Sequence, residues 1–187
     1  ACFDIMGKAL DTPAHTFLGG KTRDAIEICY PLFQVKAEAD YERNLGFIQT
    51  LLEQGISRFR YYVGVDFAKD EKFLAAVRDR FGDAVLLKAL DFQAKHYWKD
   101  TLRAYERLEQ FGFEVIESPS WREDFEGMAE LRRRVEADVC EHCSSAAQAM
   151  AMVKAGAVDI FNITVNSGGL LQVKKLAALA ELAGIRT

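Results

Sequence analysis

The sequence predicts a (β/α)8 barrel of the TIM type, of which this chain holds six full β/α units and the start of a seventh. Short apolar segments alternate without interruption with amphipathic ones, and the repeat is about 25 residues long. Such alternation implies parallel strands joined by helical crossovers. Three of the strands also end in a carboxylate, which suits a barrel whose site lies at the carboxyl ends of its strands. Since complete barrels have about 250 residues, we expect the last strands to be absent.

The predicted strands are short apolar segments bounded by polar residues or glycine. They cover 26–33, 59–63, 85–90, 113–117, 138–141 and 158–164, and a seventh strand is expected to begin at Ile185. The predicted helices carry apolar residues three or four positions apart. They cover 39–54, 69–81, 98–110, 123–134, 145–155 and 170–183. Ser144 and Ser145 are candidate N-caps for the helix at 145–155.

The predicted organisation is a linker helix followed by a barrel segment. Residues 1–20 are expected to form the helix, which Gly19 and Gly20 would end, and residues 21–187 the barrel. The chain opens within a helical pattern and without methionine, so we expect a segment of a longer protein. A doubly wound open sheet is the alternative fold, but no Gly-x-Gly-x-x-Gly motif follows the first predicted strand.

Composition argues against several classes of partner. The net charge is −4 with acids and bases mixed along the chain, which is not typical of a nucleic-acid or membrane-surface protein. No apolar run reaches the roughly 20 residues of a membrane span. Four cysteines in 187 residues do not indicate a disulfide framework. We therefore expect a cytoplasmic protein with a small-molecule substrate.

Three acids end consecutive predicted strands. Asp91 and Glu117 are 26 residues apart, and Glu117 and Glu141 are 24 apart. Because alternate residues of a strand share a face, we predict that all three point into the barrel at one end. A single acid at a strand end is more often solvated or caps a helix. Three at matching positions predict a site for a hard cation, and oxygen ligands suit Mg²⁺.

Several short motifs occur in a characteristic order. They are FDIMGKAL at 3–10 with FLGG at 17–20, FRYYVG at 59–64, DFQ at 91–93, IESP at 116–119, AGAVD at 155–159 and GGL at 168–170. Together they resemble the barrel domain of the enolase superfamily, in its mandelate racemase and muconate-lactonizing branch. The resemblance covers essentially the whole chain. It implies an Mg²⁺-dependent lyase or isomerase that abstracts the α-proton of a carboxylate substrate, of the acid-sugar dehydratase or racemase/cycloisomerase type. It also implies an N-terminal capping domain outside this chain, and we expect a homo-oligomer.

The resemblance implies that Asp91, Glu117 and Glu141 are the Mg²⁺ ligands. Without one extra residue after Gly82, Leu90 would occupy the first ligand position, but Asp91 keeps the 26-residue step to Glu117. Some members of the family place an aspartate where this chain has Cys140, whereas strand alternation favours Glu141. The ion would neutralise charge that develops on a substrate carboxylate.

The chain departs from the family at the lysines of its Lys-x-Lys strand, where it has Arg60 and Tyr62. Arginine stays protonated and cannot act as a base, and tyrosine titrates near 10. We expect Tyr62 to transfer the proton while Arg60 holds the substrate carboxylate and lowers the tyrosine pKa. The alternative for both residues is a packed, hydrogen-bonded barrel interior.

The remaining predicted substrate contacts are Gln93, Asn162 and Thr164. Neither Asn162 nor Thr164 can serve as a base, although the family has a lysine or an aspartate on this strand. A base on a later strand would lie beyond Thr187. The rival hypothesis is therefore a barrel that binds a carboxylate metabolite but has lost proton transfer.

The Cys140-x-x-Cys143 spacing indicates a third possible function, a zinc-binding or thiol-exchange site. The chain has no second pair of this kind, and Cys140 is predicted to point outward against the helices. His142 and His96 lie near strand ends and could reach the site, but both are predicted to be peripheral. Arg122 follows the fourth strand and is predicted to pack there or to line the rim.

Overall fold

The computed structural model describes residues 2–37, 39–166 and 168–187. Six parallel strands form one sheet in chain order. They are β1 Tyr30–Leu32, β2 Arg58–Tyr62, β3 Leu86–Asp91, β4 Val115–Glu117, β5 Asp138–His142 and β6 Ile160–Asn162. A doubly wound sheet reverses its strand order at a switch point, whereas this order runs in one direction, as in a barrel. A parallel bridge between Arg186 and Ile160 marks the predicted seventh strand.

A helix follows or precedes each strand. The helices are α1 Cys2–Ala9, α2 Ala39–Glu53, α3 Phe67–Phe81, α4 Trp98–Leu108, α5 Phe125–Arg132, α6 Ala146–Ala155 and α7 Leu170–Leu182. Most bounds agree with the prediction within two residues. β1 and β6 are shorter than the predicted 26–33 and 158–164. The exposed Ile26 and Ile28 precede β1, which has a neighbour on one side among the described strands. A strand without a second neighbour gains fewer ladder hydrogen bonds.

The opening segment is not one helix of twenty residues. α1 ends at Ala9, and a separate 3-10 helix covers Ala14–Leu18. Pro13 lies between them, and proline cannot donate the backbone hydrogen bond that a continuing helix needs. Gly19 then ends the 3-10 helix at a positive φ of 110°. The prediction of a continuous helix over 1–20 is therefore wrong.

Side-chain caps begin three helices that follow the carboxyl ends of strands, α3, α5 and α6. Asp66 accepts hydrogen bonds from the backbone N–H groups of Ala68 and Lys69 at the start of α3. Ser145 accepts one from the N–H of Gln148 at the start of α6. Of the two predicted caps, Ser145 is therefore the one that caps the helix. Such caps satisfy N–H groups that a helix leaves unpaired.

The strands alternate between two buried faces. One face packs against the helices in the main core, and its members include Phe59, Tyr61, Leu87, Leu90, Ile116, Val139 and Phe161. The inner face carries a second, smaller cluster formed by Ala89, Val115 and Cys140, with Ile160 packed against it. Cys140 thus lies on the inner face, and the prediction that it points outward is wrong. No helix within the three described ranges is long and apolar enough to cross a membrane.

Candidate functional site at the carboxyl ends of the strands

Polar side chains of the inner face meet where the strands end. Tyr62 pairs with Asp91 in the sheet register, and Asp91 pairs with Glu117. His142 pairs with Asn162 on the next two strands. A pocket of about 400 Å³ opens at this end of the sheet. Its lining includes Tyr62, Asp91, Gln93, Ser118, Arg122, Glu123, Glu141, His142, Asn162 and Thr164. Parallel barrels build their sites at this end.

Glu117 is the centre of the polar contacts. Arg60 Nη1 donates to Glu117 Oε2 at 2.8 Å and to Oε1 at 3.1 Å, and it lies 3.8 Å from Asp91 Oδ2. Asn162 Nδ2 donates to Glu117 Oε1 at 2.7 Å, and His142 Nε2 lies 3.3 Å from the same oxygen. Burial acts to raise the pKa of Glu117, but the hydrogen bond from His142 and the charge of Arg60 outweigh it and lower that pKa. Glu117 is therefore a buried, ionised carboxylate.

Tyr62 is held by Arg60. Its Oη accepts a hydrogen bond from Arg60 Nη2 at 2.5 Å, and its ring stacks on that of Phe33 with centroids 5.3 Å apart. Burial raises the pKa of Tyr62, and the negative charges of Asp91 and Glu117 add to this rise, so the positive charge of Arg60 does not offset it. Arg60 does lower the pKa of Tyr62, as predicted, but burial outweighs this effect and the net pKa is raised.

Asp91 faces the site, whereas Leu90, the alternative residue for the first ligand position, does not. Leu90 belongs to the fully buried core against the helices, whereas Asp91 lines the pocket. Asp91 Oδ1 accepts from the backbone N–H of Gln93 at 2.8 Å. Burial and the neighbouring charge of Glu117 raise the pKa of Asp91 to about 6. Gln93 also lines the pocket, with its Nε2 donating to Gln34 Oε1 at 3.0 Å.

Glu141 is placed differently from the other two acids. It pairs with Phe161 in the register, while its neighbour Cys140 pairs with Glu117 and occupies the inner position. Strand alternation therefore does not favour Glu141 as predicted. Its Oε1 accepts from the backbone N–H of His142 at 2.7 Å and from Ser118 Oγ at 3.2 Å. Its Oε2 is buried and has no hydrogen-bond partner among the described residues, and burial raises the pKa of this carboxyl.

These residues do not fit the predicted three-carboxylate Mg²⁺ site. Within residues 2–37, 39–166 and 168–187, no group of three or more His, Cys, Asp or Glu side chains could hold a metal ion. Arg60 contacts both Asp91 and Glu117, and Cys140 stands at the third inner position. Among the described residues, Glu141 Oε2 is a buried oxygen without a partner that a cation would satisfy. The same finding argues against a zinc site at Cys140 and Cys143.

Two residues matter more than the sequence indicated. His142 was predicted to be peripheral, but it lines the pocket and contacts Glu117. Its position two residues after Cys140 would have revealed this, had Cys140 been assigned to the inner face. Arg122 lines the same pocket and makes no ion pair or hydrogen bond with any residue in the described part of the chain. His96 packs between Phe67 and Phe92, outside the pocket lining, as predicted.

Known proteins of one family share this sequence and fold. Residues 46–187 match the family described as enolase C-terminal domain-like. The chain is 30% identical to the N-succinyl-L-Arg/Lys racemase of Bacillus cereus over 99% of its own length and 50% of that protein's. It is also 30% identical to muconate cycloisomerase 1 of Pseudomonas putida, over 99% and 49% of the two lengths.

The structural matches agree with these relatives. The dipeptide epimerase of Enterococcus faecalis superimposes with a TM-score of 0.87 at 27% identity, covering 99% of this chain and 53% of that one. The muconate lactonizing enzyme of Pseudomonas putida gives 0.86 at 28% identity, covering 98% and 51%. The chain spans about half the length of the relatives it matches. The predicted resemblance is confirmed: the chain belongs to the enolase superfamily, in its mandelate racemase and muconate-lactonizing branch.

Proposed function

We propose that the whole protein is an isomerase or lyase that abstracts the α-proton of a small-molecule carboxylate. The relatives named racemase, epimerase and cycloisomerase support an isomerase-type activity. The observation that carries the proposal is that the Tyr62 hydroxyl and the Arg122 guanidinium line one pocket at the carboxyl ends of the strands. Arg122 can hold an anionic group of the substrate while Tyr62 exchanges a proton with the substrate.

Arg122 is our candidate for binding the substrate carboxylate. Its guanidinium is exposed and has no partner among the described residues, and a guanidinium binds a carboxylate through two parallel hydrogen bonds. Arg60 was expected to do this, but it is engaged by Glu117 and Tyr62. We therefore assign Arg60 to positioning those two side chains. Asn162 and Thr164 line the pocket and remain proposed substrate contacts, as does Gln93.

Tyr62 is our candidate for proton transfer. Because its pKa is raised, the hydroxyl stays protonated at neutral pH and serves as a general acid, which delivers a proton to the substrate. Arg60 donates to the same oxygen and so stabilises the phenolate that remains. The base that takes the α-proton is expected on another strand of the whole barrel, because Asn162 and Thr164 cannot accept it at neutral pH.

Solvent deuterium exchange tests this proposal. The whole protein is incubated in D₂O with a library of acid sugars and amino-acid derivatives, and exchange at the α-carbon and dehydration are followed by NMR. Tyr62→Phe keeps the ring and its stacking on Phe33, and we expect it to reduce exchange by at least tenfold. Tyr30→Phe, whose ring packs on Phe47, is the matched control. Exchange at the parental rate in Tyr62→Phe would show that Tyr62 is structural.

The second candidate is a barrel that binds a carboxylate metabolite without proton transfer. It is favoured by the replacement of both family lysines with Arg60 and Tyr62 and by the raised pKa of Tyr62. Binding of a carboxylate, measured by calorimetry and weakened by Arg122→Gln, with no α-proton exchange would support this candidate over the first.

The cofactor and the assembly stay predictions. A structure of the Enterococcus faecalis dipeptide epimerase is complexed with Mg and a dipeptide, which supports Mg²⁺ by homology. The contacts of Arg60 with Asp91 and Glu117 argue against it in this chain. When bound, Mg²⁺ would supply a positive charge for the substrate carboxylate. The homo-oligomer and the cytoplasmic location are proposed from the resemblance and the composition.

A further inference from the structure

We propose that Arg60 takes the place of a divalent cation between Asp91 and Glu117, so that this site operates without a metal. The inference concerns the cation alone. It rests on the proposed function only for the identity of the ligand that the site receives.

The guanidinium of Arg60 lies against both acids. Arg60 Nη1 lies 2.8 and 3.1 Å from the two oxygens of Glu117 and 3.8 Å from Asp91 Oδ2. A Mg²⁺ ion bound by both carboxylates would lie about 2.0–2.1 Å from an oxygen of each. It would need the space between the two acids into which the guanidinium projects. Arg60 therefore pairs with Glu117 where an ion would stand, and it lies within ion-pair distance of Asp91.

Both carboxylate oxygens of Glu117 already accept hydrogen bonds. Oε2 accepts from Arg60, and Oε1 accepts from Arg60 and from Asn162 at 2.7 Å. His142 Nε2 lies 3.3 Å from Oε1 as well. A metal at the remaining lone pair of Oε2 would lie beside the guanidinium that donates to the same atom, and two positive charges at that distance repel. Displacing Arg60 instead would leave a charged donor without its partner beside a carboxylate whose side chain is 5% exposed.

Arg60 is also held in place by Tyr62, on the side away from Glu117. Nη2 donates to Tyr62 Oη at 2.5 Å, and the guanidinium carbon lies 4.8 Å from the centre of the Tyr62 ring. The side chain is 25% exposed, so most of it is enclosed. A planar guanidinium held at both nitrogens does not swing aside as a lysine stem would.

The third inner position, beside Glu117, holds a thiol. Cys140 pairs with Glu117 in the register and packs with Ala89 and Val115. A thiol is a poor ligand for a hard cation such as Mg²⁺, which prefers oxygen. Arg60 therefore brings a positive charge against the two acids, and Cys140 leaves the third inner position without an oxygen ligand.

Metal binding to the whole protein tests the inference without any substrate. The protein is treated with EDTA, dialysed and titrated with Mn²⁺, followed by EPR, and with Mg²⁺, followed by thermal unfolding. We expect the parent to bind neither ion. Arg60→Gln removes the charge between the two acids, and we expect Mn²⁺ affinity at least tenfold above that of the parent. Arg60→Gln combined with Glu117→Gln should lose this gain.

Arg58→Gln is the matched control. Arg58 lies on the same strand two residues earlier and pairs with the exposed Glu27, so its loss should leave Mn²⁺ binding unchanged. One equivalent of Mn²⁺ bound to the parent and lost in Glu117→Gln would overturn the inference. If Arg60→Gln does not fold, Mn²⁺ binding to the parent protein is by itself sufficient to test the inference.

The inference and the proposed function can fail separately. Substrate exchange that persists after EDTA treatment supports both. Exchange that stops after EDTA and returns with Mg²⁺ overturns the metal-free site but leaves the proposed function in place. A parent that binds no metal and shows no exchange leaves the inference standing while the proposed function fails.

Discussion

Replacing Asp70 with asparagine should change how the stability of the protein depends on pH. Asp70 is a fully buried acid in the first turn of α3. Its Oδ1 accepts from Tyr61 Oη at 2.6 Å and its Oδ2 from the backbone N–H of Gly64 at 2.9 Å. It thus ties the loop after β2 to the helix. A Cβ at Gly64 would lie 3.2 Å from Asp70 Oδ1, so glycine is what permits this close approach.

The size of the pH-dependent change in unfolding free energy follows from the pKa of Asp70. Burial is the main cause that raises it, from an ordinary 3.8 to about 6, while the hydrogen bonds from Tyr61 and Gly64 act against that rise. A raised pKa in the folded state gives stability that is present below pH 3.8 and is lost as the pH rises through about 6. At 1.36 kcal/mol per unit of pKa, the full loss is about 3 kcal/mol. Between about pH 4 and pH 7 it is roughly 2 kcal/mol.

Asp70→Asn removes this titration while keeping the shape of the side chain. Its carbonyl oxygen can still accept from Gly64, and its amide can donate to Tyr61 Oη. We expect the variant to gain about 2 kcal/mol relative to the parent when the pH is raised from about 4 to about 7. Urea unfolding of the whole protein at both pH values measures this difference. Asp83→Asn, an exposed acid after α3, is the control. An equal difference between variant and parent at both pH values would refute the reasoning.

Two further predictions concern single hydrogen bonds. Tyr61→Phe leaves Asp70 without its side-chain donor, so we expect a loss of about 1–3 kcal/mol in urea unfolding at neutral pH, where the acid is ionised; an unchanged midpoint would contradict this. Ser145→Ala removes the acceptor for the Gln148 N–H at the start of α6 and should cost about 1 kcal/mol. Ser144→Ala is its control, because the Ser144 hydroxyl bonds the Gln148 side chain instead, and equal effects of the two changes would show that Ser145 is not the cap.

The alternation of strands and helices could be predicted because it depends on local apolar periodicity. Each helix bounded by a capping residue or by glycine, such as α6 between Ser145 and Gly156, was located within one or two residues. Gly156 adopts a positive φ of 64°, which only glycine adopts without strain. The ends of β1 and β6 depend instead on the hydrogen bonds that a neighbouring strand supplies, and this pairing cannot be predicted from local sequence.

The site was predicted in part for a similar reason. Arg60, Tyr62, Asp91 and Glu117 each lie on the inner face, as alternation along their own strands indicated. β5 was assigned one residue out of phase. Val139 and Cys140 are both small and apolar in character, and both are buried, so neither marks its face by composition. A shift of one residue moves every side chain to the opposite face.

The contacts of Glu117 explain why the electrostatics could not be predicted from single positions. Its donors come from three strands: Arg60 on β2, His142 on β5 and Asn162 on β6. Arg60 stands 57 residues before the acid that it neutralises. Groups that share one acceptor do not contribute independently, so removing Asn162 should alter what Arg60 contributes. Arg60 therefore helps to set the charge state of an acid on another strand, and the proposed metal-free site rests on that pair and not on the acids alone.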